Sequence, residues 1–159
     1  MKAIHQTALI GPNVTIEDDV IIGPYCVIGF PPEWKGYEHR NEGVIIRRGA
    51  RLTGFVTVDA GAENPTIIGS DCYLMKHSHV GHDAVLMPNV VVSCGAKIGG
   101  HCFIGEGSNI GLNAVIHQKV SVPNGCMIGA SGFVGKKSDL KPFRKYAGVP
   151  VRDLGENKR

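Results

Sequence analysis

Ile68-Gly69-Ser70-Asp71-Cys72-Tyr73-Leu74-Met75-Lys76-His77-Ser78-His79-Val80-Gly81-His82-Asp83-Ala84-Val85-Leu86 repeats one pattern every six residues. The aliphatic positions Ile68, Leu74, Val80 and Leu86 continue as Val92, Ile98, Ile104, Ile110, Ile116, Val122, Ile128 and Val134. A helix would repeat at about 3.6 residues and a simple strand at 2. Six is three strand alternations, so each repeat is a short strand and a corner. Four residues after each aliphatic stands a small one, such as Cys72, Ser78, Ala84, Ala96, Cys102, Ser108 or Ala114, which fits a narrow interior. Three residues after it come Asp71, Asp83, Asn89, Gly95, Gly107, Asn113 and Gly125. These types tolerate the left-handed backbone of a tight corner.

The same grid holds at Ile4, Ile10, Ile16, Ile22 and Ile28, and returns at Ile46, Leu52 and Val58. Three hexads close one triangular coil of 18 residues, and coils stack about 4.8 Å apart. The spacing therefore predicts an all-β chain, a parallel β-solenoid of triangular coils. Period alone leaves the hand open, and parallel crossovers are normally right-handed. The hexapeptide pattern, however, resembles the left-handed β-helix family, which implies a left-handed parallel β-helix. Residues 1–135 are assigned to it, with a loop insertion at 30–43. Residues 136–159 form a short tail that packs on the helix or on a neighbouring subunit.

A chain of 159 residues makes one domain, and 6% aromatic content makes its core a thin aliphatic column. A net charge of +3, with no basic block interleaved with aromatics, favours small anions over nucleic acid. Neither a leader nor a long apolar run occurs, so no transmembrane segment and a cytoplasmic location are expected. Cys26, Cys72, Cys102 and Cys126 fall at the small interior position and Cys94 at a corner; buried free thiols are expected. Outward positions carry Val85, Val91, Phe103, Leu112, Val115, Met127 and Phe133. Apolar faces of this kind call for partners, and a triangular prism suits a homotrimer with sites between subunits.

The grid breaks in two places. Between Ile28 and Ile46, the stretch from Phe30 to Gly43 holds the chain's one tryptophan and would turn Trp34 and Arg40 inward if it kept the pattern. A charge in that column is too costly, so the segment loops out, as a functional loop or as a plain surface excursion. A four-residue break falls near Gly61-Ala62-Glu63-Asn64-Pro65.

Residues 18 apart stack in one column. His82, Gly100 and Gln118 make one, and Asp83, His101 and Lys119 the next, with His117 alongside and His79 three residues before His82. An imidazole titrates near neutrality and can take a proton from a hydroxyl or an amine. Asp83 would orient it, and the Gly100 N–H would meet an oxyanion. Any one of these histidines alone would read as a solvated corner residue; His5 and His39 do. Metal is the rival chemistry. His77 and His82 are five apart, and γ-type carbonic anhydrases follow a Val-Gly-His with a second histidine five residues on. Here Met87 stands there, a poor zinc ligand, so no metal is expected.

From Leu74 to Asp83, and without a gap from His79 through His117, the chain resembles the UDP-N-acetylglucosamine acyltransferases of lipid A (lipopolysaccharide) synthesis. The resemblance implies His82 as general base beside Asp83, with His79, His101 and His117 near the site and Gly100 as the oxyanion glycine. It makes Pro32-Glu33-Trp34-Lys35-Gly36-Tyr37 an acceptor-sugar loop, with Glu33 and Lys35 on the nucleotide sugar. Ala130 falls at a position tied to acyl-chain length. Three departures stand out: Asp59 replaces a family histidine, Ala130 stands where a glycine admits a long chain, and the C-terminal helical domain is absent. Tyr146-Ala147-Gly148-Val149-Pro150-Val151-Arg152 is similar instead to the Gly-x-Pro tail of coenzyme A-dependent hexapeptide acetyltransferases. That places Gly148, Pro150 and Arg152 against a pantetheine arm.

The expectation is a trimeric acyltransferase that uses acetyl-CoA, a co-substrate rather than a resident cofactor, on a hydroxyl or amine of a nucleotide sugar. His82, Asp83 and Gly100 would do the chemistry, and Glu33, Lys35, His79, His101, His117 and Gln118 would hold the acceptor. Ala130, Gly148, Pro150 and Arg152 would meet the donor. The alternatives are an acyl carrier protein as donor and partner, a zinc-dependent hydratase, and a non-catalytic solenoid.

Overall fold

The computed structural model describes residues 2–158, which form a left-handed parallel β-helix without α-helix. Three sheets of nine, seven and six strands make the faces of the prism. Most strands are two residues long, as in His79–Val80, Val85–Leu86 and Val91–Val92, because a corner follows every pair. Each aliphatic residue pairs in register with the one above: Leu52, Leu74, Val92, Ile110 and Ile128 on one face, Val58, Val80, Ile98, Ile116 and Val134 on the next, and Ile68, Leu86, Ile104 and Val122 on the third. These residues are buried and form one continuous core. Each buried leucine or isoleucine contributes about 1.5–3 kcal/mol of transfer free energy.

The corners follow the grid without exception over eleven hexads. Asp71, His77, Asp83, Asn89, Gly95, His101, Gly107, Asn113, Lys119, Gly125 and Ser131 all have φ between 53° and 73°. The seven corner residues expected from composition are among them, and His77, His101, Lys119 and Ser131 accept the same strain. Cys26, Cys72, Cys102 and Cys126 are buried at the interior position and Cys94 is half-buried. Burial pushes the Cys72 thiol up to about 11. Its Sγ donates to the Met87 carbonyl at 3.2 Å, and Cys102 does the same toward His117 at 3.1 Å.

Register partners are 18 residues apart from Leu74 onward, but 30 apart at Ile28–Val58 and 22 apart at Val58–Val80. The two sequence breaks are therefore insertions between otherwise unbroken coils. They are joined to each other: Gly61 N–H donates to the Gly43 carbonyl at 3.0 Å and Glu42 N–H to the Gly61 carbonyl at 2.8 Å. At the far end, Arg144–Ala147 adds a parallel strand beside Met127–Ile128, and Arg152–Glu156 returns antiparallel. This sets Tyr146, 3% exposed, over Ile128 as the last interior side chain, its hydroxyl accepting from Lys141 N–H at 2.6 Å. Of the outward apolar residues, Phe103, Leu112 and Val115 are 40–52% exposed.

Candidate active site

His82 follows the strand His79–Val80 and is buried at the edge of the prism. Its Nδ1 lies 2.8 Å from Asp83 Oδ2. A carboxylate only accepts, so Nδ1 carries the proton and Nε2 keeps its lone pair. That Nε2 lies over Gly100 one coil on: a Cβ on Gly100 would come within 2.6 Å of it. Gly99 and His101 donate their N–H groups to the ladder, to the carbonyls of Ile116 and His82, whereas the Gly100 N–H between them supplies no rung. The expected column of His82 and Gly100 is thus in place.

Asp83 is held more firmly than its position in the repeat suggests. The four-residue insertion turns three successive amides on it. Ala62 N–H donates to Oδ2 at 2.9 Å, and Glu63 and Asn64 N–H to Oδ1 at 2.9 and 2.6 Å. Burial works against the carboxylate's charge, but the amides of Ala62, Asn64 and Glu63 and the His82 ring outweigh it and hold its pKa below the ordinary range. The insertion read from sequence as a bare break is the cradle of this carboxylate. A clue existed in its position one coil before Asp83.

His101 stands on the next corner with its ring edge-on to His82, centroids 4.9 Å apart at 88°. Its Nε2 is buried and has no partner among the described residues. His79 bonds Thr57 Oγ1 through Nδ1 at 2.8 Å and faces Asp59 through Nε2 at 3.8 Å. Asp59, given no role from sequence, belongs to the site, because the strand register sets Val58 beside Val80. Burial raises its pKa; His79, the Glu33 N–H and His82 pull the other way, and the Glu33 carboxylate adds to the rise. His82, Asp83 and His101 bring three ligand-type atoms within 4.8 Å of one another, but both Asp83 oxygens are already engaged. His77 is not near this group: it is exposed and stacks on Phe55 at 5.0 Å.

The loop expected at 30–43 begins one residue later, because Phe30 ends the strand Val27–Phe30, and it folds back over His82. The Trp34 indole lies on the imidazole at 5.0 Å and 17°. Glu33 and Lys35 are exposed and line a cleft of about 470 Å³ with Pro31, Pro32, Trp34 and Glu38.

Other expected site residues gather elsewhere. His117 is half-buried two coils from His82; its ring meets Phe133 at 6.4 Å and its Nδ1 the Gln118 carbonyl at 3.0 Å. Gln118 itself is exposed. His117 and Phe133 line a second cleft, about 530 Å³, with Lys136, Lys137, Pro150 and Val151. Gly148 holds the tail there by accepting from Phe133 N–H at 3.0 Å. Arg152 is exposed in the tail, and Ala130 lies on a different corner, in the column of Cys94 and Leu112. Within one chain neither reaches His82.

The family model for the bacterial transferase hexapeptide (six repeats) matches residues 3–30 and 65–100. A curated relative from Campylobacter lari, an acyl-[acyl-carrier-protein]–UDP-N-acetylglucosamine O-acyltransferase, is 36% identical over 91 residues, covering 55% of this chain and 35% of the relative. A crystal structure of a UDP-N-acetylglucosamine acyltransferase superposes with a TM-score of 0.83 at 27% identity, over 98% of this chain and 74% of that one. The acetyltransferase domain of PglB from Neisseria gonorrhoeae, solved with acetyl coenzyme A, superposes with a TM-score of 0.64 at 25% identity, over 93% of this chain and 58% of that one. The chain spans between about a third and a half of the length of the curated relatives it matches. Among the described residues no helix is long and apolar enough to cross a membrane.

Proposed function

We propose that this chain, which belongs to the hexapeptide-repeat family, is an acyltransferase that moves an acetyl or other short acyl group from coenzyme A to a nucleotide-linked sugar. The observation that carries the reading is the His82 imidazole, bonded through Nδ1 to Asp83 with its free Nε2 over Gly100. Nε2 takes the proton of the acceptor hydroxyl or amine as that atom attacks the thioester carbonyl carbon. The carbonyl oxygen becomes an oxyanion and is met by the Gly100 N–H. The C–S bond then breaks, and the departing thiolate takes the proton back from the imidazolium. Asp83 steadies that imidazolium without taking its proton.

The acceptor belongs to the cleft at Glu33 and Lys35, beside the face of His82 that the loop covers. The donor belongs to the cleft of His117, Lys136, Lys137 and Pro150. That cleft lies two coils along the same edge, roughly 10 Å from His82. Two lysines there suit the phosphates of coenzyme A. The exposed Phe103, Leu112 and Val115 support a homotrimer whose neighbouring face would wall the edge. An acyl carrier protein is the second reading for the donor, since the Campylobacter lari relative carries it in its name.

Thiol release distinguishes the donors. The protein is incubated with UDP-N-acetylglucosamine or a UDP-linked amino sugar and either acetyl-CoA or an acyl carrier protein thioester. Acceptor-dependent release from acetyl-CoA is expected. Release from the carrier alone reverses the donor assignment, and release from neither overturns the activity.

A further inference from the structure

The only tryptophan of the chain lies flat on the proposed general base, and no step above uses it. Trp34 is the middle layer of a three-ring stack. Tyr37 lies on one side at 3.8 Å and 9°, and His82 on the other at 5.0 Å and 17°. Its rim meets the His101 ring at 5.7 Å and 85°. The loop is ordered from within: Trp34 N–H donates to the Pro32 carbonyl at 2.7 Å, Tyr37 N–H to the Trp34 carbonyl at 2.9 Å, and Gly36 N–H to Glu38 Oε2 at 2.8 Å. Pro32, at the root of the turn, is buried. The indole is therefore set against His82 by a built structure, with Tyr37 backing it.

We propose that Trp34 is a positioning residue for His82, resting on the reading of His82 as a base. Asp83 fixes the tautomer through Nδ1, but one hydrogen bond leaves the ring free to rock about its own axis. The indole face removes that freedom and keeps Nε2 aimed at the edge occupied by Gly100. It also acts on charge. When His82 accepts a proton, the imidazolium lies on the negative face of an aromatic ring, a contact that is stronger when water is excluded. Trp34 thus favours the protonated intermediate over the resting base, which is the direction catalysis needs. Phenylalanine would keep the face and lose part of the quadrupole.

Two readouts test this. The first does not depend on activity. In protein with carbon-13-labelled histidine, the ring protons of His82, assigned by their loss in His82→Ala, are shifted upfield by the indole current. They should move downfield in Trp34→Ala and return most of the way in Trp34→Phe. His82 signals that stay put in Trp34→Ala overturn the stack. The second is kinetic, with native melting confirmed for each variant. Trp34→Ala should lower kcat about tenfold with acceptor KM changed less than about twofold, and Trp34→Phe should recover most of it. A raised KM with unchanged kcat would make Trp34 an acceptor contact instead and overturn the positioning role. If the wild type transfers no acyl group at all, the proposed function fails, while the resonance readout still decides whether Trp34 holds His82.

Discussion

Asp83 and His82 are bound to each other at 2.8 Å, although they are chain neighbours whose side chains would ordinarily point to opposite sides of a strand. The corner makes the contact. Asp83 has φ of 58°, which turns its carboxylate back under the preceding imidazole. Three amides from the inserted turn at 61–65 then hold it there.

Asp83→Asn is nearly isosteric but offers one acceptor where three N–H groups and the His82 ring need two. The remaining amide would face N–H donors and reverse the tautomer of His82. Acyl transfer should fall by about 10²–10⁴ in kcat. Urea unfolding should show a loss of about 1–3 kcal/mol from the unsatisfied donors. An equal kcat would mean that the carboxylate is only structural.

The two carboxylates of the site carry opposite pH signatures. Asp83 titrates below its ordinary value, so its stabilisation is present above a pH of about 4 and is lost as pH falls through the lower folded value. Asp59 titrates above its ordinary value, so its ionisation costs stability, and that cost appears as pH rises through the raised value. Asp59→Asn should therefore be at least as stable as the wild type at pH 7 and should lose any advantage near pH 4. Urea midpoints at the two pH values check this; a variant destabilised at pH 7 alone contradicts it.

Gly100→Ala separates chemistry from folding. Gly100 is absent from the left-handed corners, so alanine suits its backbone, but the new Cβ would stand 2.6 Å from His82 Nε2. The imidazole must move. Activity should fall by about 10²-fold or more while thermal unfolding stays within a few degrees of the wild type. Retained activity would place the attacking proton elsewhere.

The cysteines should divide four to one. Native protein treated with a thiol reagent at neutral pH should expose Cys94 alone, because Cys26, Cys72, Cys102 and Cys126 are buried with thiols held in their protonated form. Denaturant should release all five. More than one fast thiol in the folded protein contradicts the packing.

Much of this was legible in the chain, since one period governs both packing and corners. Ile98 is buried because it stands 18 residues after Val80, and the same arithmetic sets Gly100 over His82. The positions of the two insertions were legible but their contacts were not, because the period says where a segment leaves the coil and nothing about what it folds back onto. Ala62 to Asn64 reach Asp83 through backbone amides, which carry no side-chain signature. Trp34 reaches His82 through a loop whose fold depends on local turns. His117 flanks Gln118 two coils from His82, as the 18-residue column sets it, but the period carries no sign that its ring turns to Phe133.

The most direct measurement is the turnover of acetyl-CoA with a nucleotide-sugar acceptor by wild type and His82→Ala, each shown to melt as native protein. The expected result is acceptor-dependent thiol release that falls by at least about 10²-fold in the variant. Equal release by the two proteins would contradict His82 as the base.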